Sequence, residues 1–137
     1  MAEAEIRKVK KVTKEDKVIL GIDHAQITIP KGTEEEARKF YCNFLGLKEI
    51  EKPENRRKNG GFWIQVGETQ LHIGVEEGFD RTKTKAHIAY RVNDLAYWRQ
   101  KFQDNSIEIF ESLAFPSAVA FEFRDPFGNR VELIQNT

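Results

Sequence analysis

A single cysteine, Cys42, stands in the whole chain, so no intramolecular disulfide can form. Such scarcity fits a reducing compartment, and the expected location is cytoplasmic. No apolar run approaches the roughly 20 residues needed to cross a bilayer, so no membrane span is expected. Excess charge is absent as well, because 22 basic residues balance 22 acidic ones. Without a net field the chain has little to draw it to nucleic acid or an anionic membrane surface, and neither is expected as a partner. The opening residues, MAEAEIRKVKKVTKEDK, lack the apolar segment of a secretory signal. Residues 1–17 read as a charged N-terminal tail, and 18–137 as one domain long enough to bury a core.

Histidine is scarce too, and its placement is ordered. His24, His72 and His87 each interrupt a run that otherwise reads as a β-strand, and Glu132 has the same setting near the C-terminus. His24 and His72 lie 48 residues apart, from 24 to 72, and His87 and Glu132 lie 45 apart, from 87 to 132. The flanking text matches in pairs: IDHAQITI is like KAHIAYRV, and QLHIGV is like RVELIQ. Two copies of one module, each delivering two ligands to one metal, account for this pattern.

The elements repeat in the same order. Ile19 to Ile29 reads as a strand, with Ala25, Ile27 and Ile29 on one face and Ile22, His24, Gln26 and Thr28 on the other. Thr33 and Glu36 have the spacing of a capping box, and the stripe Ala37, Phe40, Tyr41, Phe44, Leu45 marks a helix that Gly46 ends. A short strand at Leu47–Glu51 and a charged loop at 52–60 follow. Phe62–Val66 and Thr69–Val75 form a hairpin around Gly67-Glu68, a turn that sets Trp63 opposite His72 and Gln65 opposite Gln70. The linker 76–83 leads into a second set. Its members are the strand Ala86–Val92, a helix capped by Asn93 or Asp94 and striped by Leu95, Trp98 and Phe102, a short strand at Ile107–Phe110, and strands Ala118–Phe123 and Arg130–Gln135 around Asp125-Pro126-Phe127-Gly128-Asn129. The order is βαβββ twice, with modules at about 19–76 and 84–136, a duplication rather than a solenoid.

FYCNFLGLKE after the first strand and FEFRDPFGNRVELIQ at the end resemble the vicinal oxygen chelate superfamily, which contains glyoxalases, extradiol dioxygenases, epimerases and the fosfomycin- and bleomycin-resistance proteins. The resemblance spans roughly 19–135, and DPFGNRVEL is its most specific part. It implies an α+β fold in which two tandem βαβββ modules form a half-open mixed β-barrel around a metal site. The ligands come from the first and fourth strands of each module, here His24, His72, His87 and Glu132. Glyoxalases usually carry a carboxylate at the position of His72, and epimerases often an amide. In extradiol dioxygenases and fosfomycin-resistance enzymes that position is not a ligand.

The expected cofactor is one divalent ion, since imidazole and carboxylate donors suit Zn, Ni, Fe, Mn or Co alike. The expected function is a metal-dependent lyase or isomerase of glyoxalase type, acting on a small substrate with vicinal oxygens. The alternatives are an Fe(II) extradiol-type dioxygenase and a metal-free protein that sequesters a small molecule such as an antibiotic. Strand alternation puts Glu122 on the face of Glu132, which makes both candidate catalytic carboxylates. Gln26, Trp63, Gln65 and Arg91 are the candidate substrate contacts, Trp63 for an apolar portion and Arg91 for an anionic one. A homodimer is expected, because half-open sheets must cover their edges and relatives commonly pair.

Overall fold

The computed structural model describes residues 11–113 and 116–137; the first ten residues of the tail and part of the loop 111–117 lie outside it. The first module runs β1 (His24–Ile29), α1 (Glu34–Arg38) with a π-helical continuation (Lys39–Phe44), β2 (Lys48–Ile50), β3 (Phe62–Val66) and β4 (Thr69–Val75). The second runs β5 (His87–Arg91), α2 (Leu95–Asp104), β6 (Phe110–Glu111), β7 (Ala118–Arg124) and β8 (Arg130–Asn136). Each module makes one mixed four-stranded sheet, ordered β1-β4-β3-β2 and β5-β8-β7-β6, with the first and last strands of the module parallel. The sheets are separate and are not closed into a barrel.

Period-two alternation sorts the two faces of each sheet. Ile29, Phe62, Ile64, Leu71 and Ile73 from one sheet, and Phe121, Phe123, Val131 and Leu133 from the other, join a single core. The helices complete it. Phe44 meets Phe102 edge-on with ring centroids 5.2 Å apart, and Phe40 lies 5.9 Å from Phe123, so the two modules share aromatic packing. The polar members of each strand point away from this core, and the outward faces carry every candidate site residue.

Several boundaries depart from the sequence reading. β1 starts at His24 rather than Ile19, because its partner β4 leaves the hairpin only at Thr69 and pairs Gln70 with His24. Residues 18–22 therefore have no strand to join, and Ile19, Leu20 and Ile22 stand exposed. The capping box does not form: the Thr33 hydroxyl donates to the Pro30 carbonyl at 2.6 Å instead. Glu34, not Glu36, takes a remote backbone donor, the Gly61 N–H at 3.1 Å. The short strand expected at Ile107–Phe110 is Phe110–Glu111. The hairpin register is as expected, with Trp63 opposite His72 and Gln65 opposite Gln70, and the Asp94 side chain caps α2 by accepting from Tyr97 N–H.

Gly61 enters β3 with φ of 76°, and a Cβ there would lie 1.9 Å from the Ile73 carbonyl oxygen. No rotamer relieves a clash with backbone. Gly61→Ala is expected to cost roughly 1–3 kcal/mol of stability, read as a lowered denaturation midpoint.

Two polar fasteners hold the modules together. Arg81, in the linker and buried, donates from Nε to the Thr28 carbonyl at 2.8 Å and from Nη2 to the Thr28 hydroxyl at 3.1 Å. Asp125 opens the β7–β8 turn and accepts from the Phe127 and Asn129 N–H groups, the Asn129 amide and, across the module boundary, the Tyr41 hydroxyl at 2.6 Å. Burial, and then the Asp125 carboxylate, push the Tyr41 phenol well above its ordinary range, so it stays a donor.

Candidate metal centre

The registers of the two sheets superimpose the candidate ligands. His72 on β4 lies between Gln26 on β1 and Trp63 on β3, as Glu132 on β8 lies between Ala89 on β5 and Glu122 on β7. His24 and His87 open the first strand of their modules in equivalent places. The duplication inferred from spacing is thus carried into matching positions.

On the first sheet the rings form a column. Trp63 stacks on His72 with centroids 3.8 Å apart and an interplanar angle of 2°, and His72 stacks on His24 at 4.0 Å and 16°. The His24 Nδ1–H donates to the Asp23 carboxylate at 2.9 Å, leaving Nε2 with its lone pair. His72 is held the other way round, with Nε2 donating to the Gln70 Oε1 at 2.9 Å. Burial, and then the neighbouring His24, lower the basicity of His72, so its ring is neutral at ordinary pH. A cavity of about 460 Å³ lies over this column, and Gln26, Lys52, Arg56 and Asn59 share its lining with the rings.

On the second sheet the His87 Nδ1–H donates to the Lys85 carbonyl at 3.0 Å, which turns Nε2 toward Glu132 at 3.3 Å. Ligands about 2.1 Å from one ion at tetrahedral or octahedral angles stand about 3–3.4 Å apart, so this pair has the bite of two donors to one metal. Orientation of a ligating imidazole through its far nitrogen is the usual supporting arrangement. Glu132 is only 7% exposed, and among the described residues His87 is its sole ion-pair contact. A buried carboxylate so thinly partnered calls for a cation.

The donor chemistry therefore fits a divalent ion, but as two half-sets. The structure brings His24 to His72 and His87 to Glu132, and among the described residues no three such side chains converge on one point. Glu122 lies directly across from Glu132 and pairs with Arg130, whose hydrogen bond holds the carboxyl below its ordinary range. Gln26 and Trp63 border the first-sheet cavity, whereas the Gln65 amide turns back to the Gly67 carbonyl at 2.8 Å. Arg91 is on the other sheet and borders a different cavity with Tyr90 and Trp98. Sequence reasoning set Gln70 on the face of His72 without giving it a role, and it did not single out Asp23, Lys52 or Arg56; the density of charge in 52–60 was the one available signal for the two cations.

The family model of the Glyoxalase/Bleomycin resistance protein/Dioxygenase superfamily matches residues 21–133. The chain belongs to this superfamily. A glyoxalase family protein from Bacillus anthracis is 42% identical in sequence and superposes with a TM-score of 0.82, over 89% of this chain and 99% of that one. The lactoylglutathione lyase of Agrobacterium tumefaciens shares the fold at 16% identity, with a TM-score of 0.67 over 86% and 95% of the two chains. So does a variant of the fosfomycin resistance protein of Listeria monocytogenes, complexed with Mn(II) and dihydroxypropylphosphonic acid, at 16% identity and a TM-score of 0.70 over 88% and 95%. No curated protein matches the chain significantly. The superfamily contains many enzymes and some members that are not. No helix among the described residues is long and apolar enough to cross a membrane.

Proposed function

We propose that this superfamily member is a divalent-metal-dependent enzyme of glyoxalase type, a lyase or isomerase acting on a small substrate with oxygens on adjacent carbons. The observation that carries the reading is the His87–Glu132 pair, 3.3 Å apart, with His87 aimed by a backbone carbonyl and Glu132 buried without another ion-pair partner among the described residues. His24, His72, His87 and Glu132 would hold the ion. Since each sheet offers only two donors, we take the functional unit to be a homodimer in which the first-module pair of one copy faces the second-module pair of the other. Two outward sheet faces that would otherwise stay open support that assembly.

A bound divalent ion supplies Lewis acidity, stabilising negative charge on a substrate oxygen when a proton leaves the neighbouring carbon. The chain supplies the rest. Glu122 is our candidate proton acceptor. Arg130 keeps it ionised, the form a base needs, while weakening its pull on the proton. Gln26 and Trp63 position the substrate. Elemental analysis of the purified protein, followed by titration with Mn(II), Ni(II), Co(II), Zn(II) and Fe(II), tests the reading. One tightly held ion for each set of four donors is expected; absence of any affinity for these ions would overturn it.

One observation favours a second reading. His72 is sandwiched face to face between Trp63 and His24, and the set without it is two histidines and one carboxylate, the set used by iron oxygenases. His72→Ala separates the two. Metal affinity falls by about 10–100-fold or more if His72 is a ligand and is unchanged if it only walls the pocket. Unchanged affinity together with ring cleavage of a catechol by the Fe(II)-loaded protein would replace the lyase reading by the dioxygenase one.

A further inference from the structure

Of the arginines of the described chain, Arg38, Arg57, Arg99 and Arg130 each sit on a carboxylate. Arg56 does not, and it is exposed on the wall of the cavity over the His24–His72–Trp63 column. Lys52, half-buried on the same wall, spends one of its three N–H donors on the Gly60 carbonyl at 2.5 Å; among the described residues it makes no ion pair, although the Glu34 carboxylate is near enough to feel its charge. The single carboxylate bordering this cavity, Asp23, is already engaged by the His24 Nδ1–H. Hydrogen-bonding amides from Gln26, Gln70 and Asn59 fill out the lining. At about 460 Å³ the space suits a small metabolite.

A guanidinium that makes no ion pair among the described residues and an ammonium with N–H donors to spare, beside amides and next to a candidate metal ligand, describe a receptor for negative charge. We infer that the substrate is a small polar acid whose carboxylate, phosphonate or phosphate group is gripped by Lys52 and Arg56 while its vicinal oxygens reach toward His24. The inference builds on the proposed function and narrows its substrate class. A neutral catechol or an apolar antibiotic would make no use of either cation. Arg56 offers the planar fork that matches an oxyanion in two-point fashion, and Lys52 a point charge beside it.

Methylphosphonate is the probe, with its neutral dimethyl ester as control, titrated into metal-free full-length protein in chelator so that the ion cannot contribute. The readout is the indole signal of Trp63 in a proton–nitrogen NMR spectrum, with Trp98, remote from the cavity, as internal reference. Saturable movement of the Trp63 signal by methylphosphonate but not by the ester is expected. Arg56→Gln should weaken it by about tenfold and the double variant Lys52→Gln/Arg56→Gln should remove it, with an unchanged circular dichroism spectrum. Equal response to the ester, or wild-type affinity in the double variant, overturns the inference. Metal titration of the same double variant keeps the two claims apart. Intact metal binding without a cation-dependent anion response sinks the anion site alone, and an anion response in a protein that binds no metal sinks the metal reading alone.

Discussion

Glu132→Ala is expected to lose bound metal, with affinity down by more than ~100-fold, and activity with it. Of the candidate donors it is the lone carboxylate, and it is 7% exposed. The stability effect has the opposite sense to that of an ordinary buried residue. Without metal, Glu132 is a buried carboxylate directly across from a second one, Glu122, and truncation removes one of the facing pair. Apo-protein melting should therefore hold steady or rise in the variant, while the added melting temperature that metal confers on wild type disappears. Melting curves with and without chelator read both effects. A variant that still binds metal with wild-type affinity would remove Glu132 from the ligand set, and a large loss of apo stability would mark it as a structural residue.

Asp125→Ala should be the most damaging single change to the fold. Four donors converge on this carboxylate, which is 4% exposed, and truncation leaves the Tyr41 hydroxyl and the Phe127 and Asn129 backbone N–H groups without their acceptor, while the Asn129 amide keeps the Thr28 carbonyl. Each orphaned buried donor costs about 1–3 kcal/mol, and with partial relief by water the total is about 3–5 kcal/mol. For a domain of this size that is a melting temperature lower by roughly 10–20 °C. Tyr41→Phe removes one donor and keeps the turn, so a loss nearer ~1 kcal/mol is expected. Equal losses in the two variants would mean that the network's value lies in the module contact alone. The second module's most recognisable motif, DPFGN, thus serves the fold by capping its own hairpin and clasping the first module, while the residues that follow it carry the site.

How far the sequence could be read depended on the range of the interaction. Hairpin registers were legible, since a two-residue Gly67-Glu68 turn leaves one pairing open and period two then assigns the faces. The β7–β8 turn was legible from its Asp-Pro and Gly-Asn residues, which are turn formers. The Thr33–Glu36 capping box was misread because the Thr33 hydroxyl is turned toward the Pro30 carbonyl, to which it donates, and its oxygen accepts no N–H of the first turn. β1 was read too long because alternation cannot tell where a partner strand stops. The cations at 52 and 56 were visible as charge but not as a wall, since loop direction has no periodicity to report it.

The sequence by itself determined the duplication, the order of strands and helices, and the equivalence of His24 with His87 and of His72 with Glu132. Local rules suffice for those, because alternation and turn chemistry act over a few residues. Tertiary structure alone decided that the sheets stay separate, that the donors come as two outward-facing pairs, and that His72 is held by Gln70 while His87 is aimed at Glu132. Side-chain orientation across strands, and the packing of Phe40 and Phe44 against Phe123 and Phe102 that turns the two polar faces outward, depend on contacts between residues far apart in the chain. Spacing carries no record of those.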